Sequence, residues 1–535
     1  MNNNVKDLIN NNPDLAAYFS GLNTSYTKEI ETLKHEVKSL DSNNKLLQQE
    51  VETLQFTLSK INRSVFGKKS EKSTNLIEEV RNLFNFNEAE ENQNLNAVEP
   101  TIEKVTKKRK DKALRGSSFK QLESKEVIYD LVESEKVCKV CNTHLVSVGS
   151  KTRETIEIIQ KAIKKLEKSI TYKCPHCESF HKNNFPTLPI SGSIASPSLL
   201  AQVIVDKTAN ALPLYRQSED YKRIGLSLSR QTMSNWMIKS SLLLEVISNK
   251  MKSDLMKKDI VHGDETTCQV LKESGKRASQ KSYMWTYVSS KYDEPIVIYE
   301  YQSSRAGKHA KEFLKDFQGY LHVDGYKGYN QVEQVTLVHC MAHLKRKFFD
   351  IYVTLPQQQQ LNSNTQKALF YCNKIYDLDK QSRDLSIEER GHYKKIHIKP
   401  LMIEFKDWLE EKQLTSAPQS SYGKAIQYAV NYLPSIMNYL EDGRLELDNN
   451  RAERAIKPFV IGRKNFLFSN TPNGAESTAI LYSIVQTCLL NFLNPYKYLA
   501  HVLHVLANHK INEINLKELM PYSENMIKQF QMIQE

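Results

Sequence analysis

The sequence predicts a multidomain α+β protein. Its 535 residues correspond to roughly three to four domains at about 150 residues each. Three patterns support this fold class: a heptad repeat near the N-terminus, two Cys-x-x-Cys pairs, and a series of strand-like segments interrupted by one helical segment. No apolar run approaches the roughly 20 residues that cross a bilayer, and the N-terminus lacks a signal-peptide pattern. We therefore expect a cytoplasmic protein without a membrane partner.

The positive charge of the chain is concentrated in one region. The formal net charge is +12, and residues 101–250 carry 26 basic against 15 acidic side chains, a net charge of +11. Such a region is typical of polyanion binding, so nucleic acid is the expected partner. Within it lies a cationic arm that either contacts phosphates or is a solvated tail or a localisation-like run. Its candidate DNA-binding residues are Lys107, Lys108, Arg109 and Lys110.

A heptad repeat occupies residues 26–63, after an N-terminal segment at 1–25. Position a is mostly β-branched, position d is mostly leucine, and Asn44 occupies one a position. This pattern favours a parallel dimeric coiled coil, a leucine zipper, and hence a homodimer or higher assembly. The alternative is a lone amphipathic helix that packs on its own domain. The seam consists of Ile30, Leu33, Val37, Leu40, Asn44, Leu47, Val51, Leu54, Leu58 and Ile61.

A zinc-binding domain is expected at residues 121–190, after a basic motif and flexible polar linker at 64–120. Cys138, Cys141, Cys174 and Cys177 form two Cys-x-x-Cys pairs. Four thiolates can complete a tetrahedron around Zn²⁺, which leaves no open position and therefore indicates a structural ion. The alternative, four unrelated buried cysteines, does not explain two complete pairs.

Residues 191–250 are expected to form a helix-turn-helix-like DNA-binding region. Residues 214–224 have a helical pattern, Gly225 supplies a turn, and Ser229 begins a second helix. Arg230 and Gln231, at the start of that second helix, are candidate DNA contacts. Many ordinary αα-hairpins share this pattern, so a purely structural pair of helices is the alternative.

Residues 251–350 contain the strand-like segments. Three strands, a helix and two further strands follow one another, and a basic helix comes next. This order is that of an RNase H-like α/β core, in which the first and fourth strands lie side by side. Asp264 would lie on the first strand and Asp324 at the end of the fourth. The segments are 259–266, 282–289, 295–301, the helix 308–317, 320–324, 335–340, and the basic helix 341–352.

Two carboxylates brought together in this way repel each other unless a divalent cation neutralises them. Mg²⁺ binds a few carboxylates and keeps waters for substrate phosphates, as phosphodiester chemistry requires. A third acid would complete a site for two Mg²⁺ ions, and Glu453 supplies it from a helix that Asp448 or Asn449 can cap and that Pro458 ends or bends. Glu446, Asp448 and Glu476 are the rival acids. Each of these carboxylates could equally be a surface charge or a helix cap.

The long interval between the second and third acids predicts a helical insertion at 351–444, followed by the second part of the core at 445–505 and a C-terminal tail at 506–535. His339, Cys340 and His343 suggest a second metal site, but we prefer packing and phosphate contact there because no fourth ligand is in sight. The candidate phosphate contacts near the acids are Lys345, Arg346, Arg451, Arg454, Arg463 and Lys464.

Several long segments, in order along the chain, resemble the motifs of insertion-sequence-66 family transposases. They are VHGDET, YLHVDGYKGYN, HCMAHLKRKFFD, LDNNRAERAIKPFVIGRKNFLF and NGAESTAILYSIVQTCLLN, together with the zipper, the segment SVFGKKSEK and the paired knuckles. The resemblance extends from about residue 26 to about residue 505. Carried over by motif, the acidic triad is Asp264, Asp324 and Glu453. The departures, Gly263 in place of the more frequent alanine and Lys68 in place of arginine, do not affect the acids.

What the resemblance implies is a bacterial, nucleoid-associated enzyme that binds the terminal inverted repeats of a mobile element and transfers strands to target DNA. Small accessory proteins of the same element would be further partners. Two other functions remain open from the residues alone. One is a DNA-binding regulator or architectural protein that uses the core only as a scaffold. The other is a junction or RNA–DNA nuclease on the same core.

Overall fold

The computed structural model describes residues 162–360 and 363–532, residue 136, and scattered positions between 17 and 37. The linker, the cationic arm, and Cys138 with Cys141 lie outside the described residues, as does most of the predicted zipper. Of the zipper seam, Ile30, Leu33 and Val37 are described, and their exposed fractions are 52%, 54% and 63%. The chain divides into two units, Met1–Gly67 with Ala162–Met532, and Lys68–Lys161 with Ile533–Glu535. The helices and strands of the described ranges belong to the first unit.

A short antiparallel hairpin precedes the main body of this unit. Its strands are β1 (Thr171–Lys173) and β2 (Phe180–Lys182). The turn between them contains the second Cys-x-x-Cys pair, and the backbone N–H of Cys174 donates to the carbonyl of Ser179 at 2.8 Å. The two cysteines of this pair therefore project from a hairpin turn.

Three helices connect the hairpin to the central sheet. They are α1 (Pro197–Thr208), α2 (Leu214–Arg223) and α3 (Arg230–Leu255). The Ser229 side chain caps α3 by accepting from the N–H of Thr232, and Gly225 has a φ of +83°, which favours glycine. The helix, glycine turn and second helix lie where the sequence predicts them. The second helix is 26 residues long, and its Trp236 is buried in the core.

The central sheet has five strands in the order β5-β4-β3-β6-β7. β3 pairs antiparallel with β4 and parallel with β6, and the outer pairs β4–β5 and β6–β7 are antiparallel and parallel respectively. The prediction of a mixed α/β chain is therefore confirmed. The strands, with the helix between them, are β3 (Ile260–Gln269), β4 (Lys281–Ser289), β5 (Val297–Gln302), α4 (Gly307–Phe313), β6 (Gly319–Val323) and β7 (Val335–His339).

Both faces of the sheet are buried. On one face Trp285 and Tyr287 join the core that includes α3 and α4. On the other face Met284 and Val288 pack against Phe459, which comes from a helix near the C-terminus. Because alternate residues of a strand face the same side, the pairing of residue 264 with residue 286 places Asp264 on this second face.

Hydroxyl and amide side chains from neighbouring helices cover the edge strands. The backbone N–H groups of Val297 and Tyr299 on β5 donate to Oγ1 of Thr487 at 3.0 Å and to Oγ of Ser483 at 2.8 Å. On β7, Nδ2 of Asn438 donates to the carbonyl of Leu337 at 2.8 Å. Backbone groups that would otherwise be open to strand pairing are thus satisfied by side chains.

The predicted insertion at 351–444 is helical, and it follows a basic helix, α5 (Met341–Tyr352). A π-helical turn, Lys394–Ile398, joins two of its helices, and Phe405 and Trp408 lie in a buried cluster that also includes Val338 of β7 and Phe348 of α5. The insertion therefore shares a buried core with the sheet and with α5. Its helices are α6 (Gln357–Gln360), α7 (Asn364–Gln381), α8 (Ile387–Tyr393), α9 (Lys399–Thr415) and α10 (Ser421–Met437).

Four helices complete the described chain: α11 (Asn450–Phe466), α12 (Pro472–Leu490), α13 (Pro495–Asn508) and α14 (Glu524–Phe530). Pro458 lies inside α11, which continues to Phe466 instead of ending at the proline. Beyond residue 506, Met520 and Met526 are buried in the main core, so much of the predicted tail is packed. None of the helices in the described ranges is long and apolar enough to cross a membrane.

A buried lysine fixes the segment that leads from the insertion to α11. Nζ of Lys394 donates to the carbonyls of Tyr439 at 3.1 Å, Asp442 at 2.9 Å and Leu445 at 2.9 Å, and it lies 4.0 Å from the centre of the Tyr439 ring. The Lys394 side chain is fully buried. Lys394 thus supplies a hydrogen-bond donor to carbonyls of the 439–445 segment.

We expect the Lys394→Met variant to lose about 3 kcal/mol or more of unfolding free energy, because it leaves several buried carbonyls without a donor. The matched control is Lys395→Met, at the exposed neighbouring position, which should change stability by less than about 0.5 kcal/mol. Urea unfolding of the full-length chain measures both. Equal midpoints for the two variants would show that Lys394 does not hold this segment.

Candidate active site

Two acids lie at the end of adjacent parallel strands. Asp264 is on β3, and Asp324 directly follows β6, its neighbour in the sheet. The N–H of Glu265 donates to Oδ1 of Asp264, and the N–H of Tyr326 donates to Oδ1 of Asp324, both at 2.8 Å. One oxygen of each carboxylate is thus used to fix its orientation, and the other remains for a ligand.

The third acid, Glu453, comes from the first turn of α11. Its N–H donates to the carbonyl of Asn449 at 3.2 Å, the first hydrogen bond of the helix. Burial raises the pKa of Asp264 well above its usual value, and the negative charges of Glu265, Asp324 and Glu453 raise it further. Burial also raises the pKa of Glu453; Arg346 opposes this shift. The structure therefore brings the three predicted acids into one electrostatically coupled cluster.

Asn449 connects the strand of the first acid to the helix of the third. Its side chain is 1% exposed; Nδ2 donates to the carbonyl of Gly263 at 2.8 Å, and Oδ1 accepts from Nδ1 of His262 at 3.1 Å. Its backbone N–H donates to Sγ of Cys340 at 3.2 Å. The sequence indicates Asn449 only as a possible helix cap, yet its side chain caps nothing and is used entirely in these long-range bonds.

Two buried histidines, His262 on β3 and His322 on β6, each lie two residues before one of the aspartates. The ring centres of His262 and His322 are 4.9 Å apart. Nε2 of His322 donates to the backbone carbonyl of Glu446 at 3.0 Å. Nε2 of His262 lies 3.7 Å from the side-chain carboxylate of the same glutamate. Burial lowers the pKa of both rings to about 3, so both are neutral at physiological pH. They pack beneath the acids and support the segment that enters α11.

Two residues that the sequence did not indicate, Arg305 and Tyr329, donate hydrogen bonds to the carboxylate of Glu265. Its carboxylate accepts from Nε of Arg305 at 2.8 Å and from the hydroxyl of Tyr329 at 2.7 Å. The guanidinium of Arg305 also lies 4.0 Å from the centre of the Tyr326 ring and is partly exposed beside Asp324. A Cβ at Gly263 would lie 3.3 Å from the Tyr329 ring, so glycine leaves room for this phenol.

The helical insertion contacts the loop of the second acid. The hydroxyl of Tyr432 donates to the carbonyl of Gly325 at 2.7 Å, directly after Asp324. Nδ1 of His339, at the end of β7, shares a hydrogen bond of 2.7 Å with Oγ of Ser435. Helix α10 thus helps to hold the Asp324 loop. His339 packs there, as preferred from the sequence, whereas Cys340 and His343 approach Glu453.

The predicted basic contacts differ in their surroundings. Nε of Arg451 donates to the carbonyl of Ser289, and Nη1 of Arg463 donates to the backbone and hydroxyl of Thr267, so both tie α11 to the sheet. Nζ of Lys345 lies 5.1 Å from the centre of the Tyr376 ring. The candidates Arg230, Gln231, Arg454 and Lys464 are exposed, and Arg346 is half-buried near Glu453. Lys107, Lys108, Arg109 and Lys110 lie outside the described residues.

The rival acids occupy different surroundings. Oδ1 of Asp448 accepts from the N–H of Asn450 at 3.3 Å, Glu446 lies against the two histidines, and Glu476 is exposed on α12. None of these three carboxylates is among the charges that chiefly raise the pKa of Asp264. The negative charge of Glu453, by contrast, raises the pKa of Asp264, and this favours Glu453 over the rivals as the candidate third acid.

Half of the predicted zinc site is described. Sγ of Cys177 lies 3.1 Å from Oγ of Ser179, and hydrogen bonds from Ser179 and Cys174 lower the pKa of the Cys177 thiol to about 7. A thiol that loses its proton this readily suits metal ligation. Cys138 and Cys141 lie outside the described residues, so the four-thiolate site stays a prediction.

Known proteins resemble this chain over most of its length. Three proteins of Sinorhizobium fredii, each named only as an uncharacterized protein, are similar to it. Protein y4hP is 25% identical over 498 residues, 88% of each chain, and y4qI is 25% identical over 488 residues, 88% of this chain and 89% of its own. Protein y4jD is 27% identical over 414 residues, 74% of this chain and 80% of its own.

Two family models match the region that contains the sheet and the acids. The model described as the transposase IS66 family matches residues 192–477, and the model described as the IS66 C-terminal element matches residues 483–522. The first match alone spans more than half of the chain, and Asp264, Asp324 and Glu453 all lie within it. The chain therefore belongs to the IS66 family of transposases.

Proposed function

We propose that this transposase binds the terminal inverted repeats of an insertion sequence and catalyses Mg²⁺-dependent strand cleavage and strand transfer with Asp264, Asp324 and Glu453. The observation that carries the proposal is the convergence of three carboxylates from β3, β6 and α11. The strand order β5-β4-β3-β6-β7, with two neighbouring strands that present the aspartates, supports an RNase H-like core.

The residues present fit divalent cations. The ligand set consists of carboxylate oxygens, which Mg²⁺ prefers, and the carboxylates repel one another in the metal-free chain. Asp264 and Asp324 each use one carboxylate oxygen to accept a backbone N–H and keep the other for a ligand. Two bound Mg²⁺ ions would supply charge neutralisation and activation of a water or a 3′-hydroxyl for in-line attack at phosphorus.

The chain's own residues would position the DNA and the acids. Asn449 fixes Glu453 relative to Asp264, and the backbone N–H groups of residues 265 and 326 orient the two aspartates. Arg305, held by Glu265, and Arg346, beside Glu453, lie where a scissile phosphate would approach. A planar guanidinium suits phosphate contact because it donates several hydrogen bonds in one plane.

The remaining parts would recognise DNA and assemble the complex. The cationic arm and the first turn of α3, with Arg230 and Gln231, would contact DNA. A structural Zn²⁺ ion would bind Cys138, Cys141, Cys174 and Cys177. Residues 26–63 would pair in a parallel homodimer, and accessory proteins of the same element would join in the cytoplasm at the nucleoid. The exposed apolar side chains of Ile30, Leu33 and Val37 support the pairing.

The Asp264→Asn variant should abolish Mg²⁺-dependent cleavage while it leaves end binding intact, because it removes a metal-binding charge without changing shape. The measurement is nicking of DNA that carries the inverted repeats, with a gel-shift assay for binding. The matched control is Asp316→Asn, an exposed carboxylate elsewhere in the same unit, which should cleave normally. Nicking by Asp264→Asn in Mg²⁺ would contradict the proposal.

The same assay separates the alternative functions. Binding without cleavage by the wild-type chain would favour a regulator or architectural protein. Cleavage without joining of a pre-cut end to target DNA would favour a nuclease on the same core. Each result would contradict strand transfer while leaving membership of the family untouched.

The choice of the third acid has its own test. Glu453→Gln should reduce the cleavage rate by at least about 10³-fold, whereas the exposed rival variant Glu476→Gln should retain the wild-type rate. Single-turnover cleavage in saturating Mg²⁺ measures both. If the Glu476 variant is the inactive one, the assignment of Glu453 is wrong.

The role of Asn449 as a positioning residue can be tested without removing a carboxylate. We expect Asn449→Ala to raise the Mg²⁺ concentration for half-maximal cleavage by about 10- to 100-fold, since loss of a supporting hydrogen bond weakens a metal site by this amount. Asn450→Ala, at the neighbouring position, is the matched control. A fall in thermal stability with no change in Mg²⁺ dependence would show that Asn449 has only a structural role.

A further inference from the structure

A second group of potential metal ligands adjoins the proposed triad. Donor atoms of Cys340, His343 and Glu453 all lie within 4.8 Å of one another. Cys340 immediately precedes α5, His343 lies in the first turn of that helix, and Glu453 lies in the first turn of α11. The three ligands therefore come from two helix starts that Asn449 holds together through its N–H and the sulfur of Cys340.

The polar atoms of this group are incompletely used by the protein. Nδ1 of His343 is buried and has no hydrogen-bond partner among the described residues. Its Nε2 lies 4.0 Å from Oε1 of Glu453, which is too long for a hydrogen bond. A buried imidazole nitrogen without a partner is costly, so an unused ligand atom here is consistent with a place for a bound ion.

The chemistry of the group differs from that of the acidic triad. Thiolate and imidazole ligands favour Zn²⁺ and similar ions, whereas Mg²⁺ favours oxygen ligands. Three protein ligands plus one water is a coordination set that Zn²⁺ adopts in proteins. The absence of a fourth protein ligand, which led us to prefer packing from the sequence, is therefore no obstacle.

We propose that Cys340, His343 and Glu453 bind one Zn²⁺ ion, and that this ion inhibits the transposase by withdrawing Glu453 from the Mg²⁺ site. On binding, Sγ of Cys340 forms a bond to the metal, and the thiol proton passes to solvent. The site itself requires only these three side chains. The inhibitory effect rests on the proposed function, because it requires Glu453 to act in cleavage.

Cobalt provides a direct test of the site. Co²⁺ is added to the full-length chain after one equivalent of Zn²⁺ has been supplied to the predicted four-cysteine site. The wild-type chain should bind one further equivalent of Co²⁺ with a thiolate-to-metal absorption band in the near ultraviolet. Cys340→Ser, which keeps a hydrogen-bond acceptor for Asn449, and His343→Gln should both lose this band.

Cys268→Ser is the matched control, because Cys268 is a half-buried thiol on β3 outside the ligand group. It should retain the band. If Cys340→Ser does not fold, His343→Gln gives the same test, since the His343 side chain is 25% exposed and tolerates a change of shape more readily. Equal Co²⁺ spectra for wild type and His343→Gln would overturn the proposal.

The inhibitory effect is measured separately. In Mg²⁺, added Zn²⁺ should slow wild-type cleavage, and the Zn²⁺ concentration for half-inhibition should rise by at least about 10-fold in Cys340→Ser when each protein is compared with its own zinc-free rate. Unchanged inhibition would overturn the regulatory part. If no chain cleaves DNA at all, the proposed function fails, while the Co²⁺ spectra still decide whether the ion binds.

Discussion

The buried amide of Asn449 is the interaction on which the geometry of the site depends. Its bond to the carbonyl of Gly263 joins residues 186 positions apart in the chain, next to the first acid on one side and the third acid on the other. A buried polar side chain is stable only when its hydrogen bonds are satisfied, so the amide permits one relative placement of β3 and α11. The ring of His262 donates to the amide oxygen, and the sulfur of Cys340 accepts from the backbone N–H of the same asparagine.

Electrostatic repulsion among the acids opposes the arrangement that the hydrogen bonds of Asn449 stabilise. Several carboxylates gathered in a partly buried position repel one another, and burial adds a further cost to each charge. Packing elsewhere must offset this cost. Both faces of the sheet are buried, side chains bond to backbone groups of both edge strands, and the insertion packs against the sheet next to the Asp324 loop. The surrounding fold therefore keeps in place a cluster that its own charges would disperse.

Local sequence patterns predicted the elements, and the order of the strands predicted where two acids would meet. Ser229 marks a helix start and Gly225 a turn because their effects are local. The bonds of Asn449 and the Glu265–Arg305 pair could not be predicted, since they join distant residues that carry no shared periodicity. Local reasoning also left open whether Pro458 ends or bends α11; the helix continues, because Phe459 beside it is buried against the sheet and this packing offsets the lost hydrogen bond.

The long connection between β3 and Asn449 also determines when the site can exist during synthesis. A ribosome releases β3 well before it reaches the residue that bonds to Gly263, 186 positions later. The aspartates therefore leave the ribosome, and β3 can pair with β4, before Glu453 has been made. The cationic arm and the start of α3, which are proposed to contact DNA, leave the ribosome before the acids do. A nascent or prematurely terminated chain would thus lack the third acid of the proposed triad, and under the proposed function it could not cut DNA.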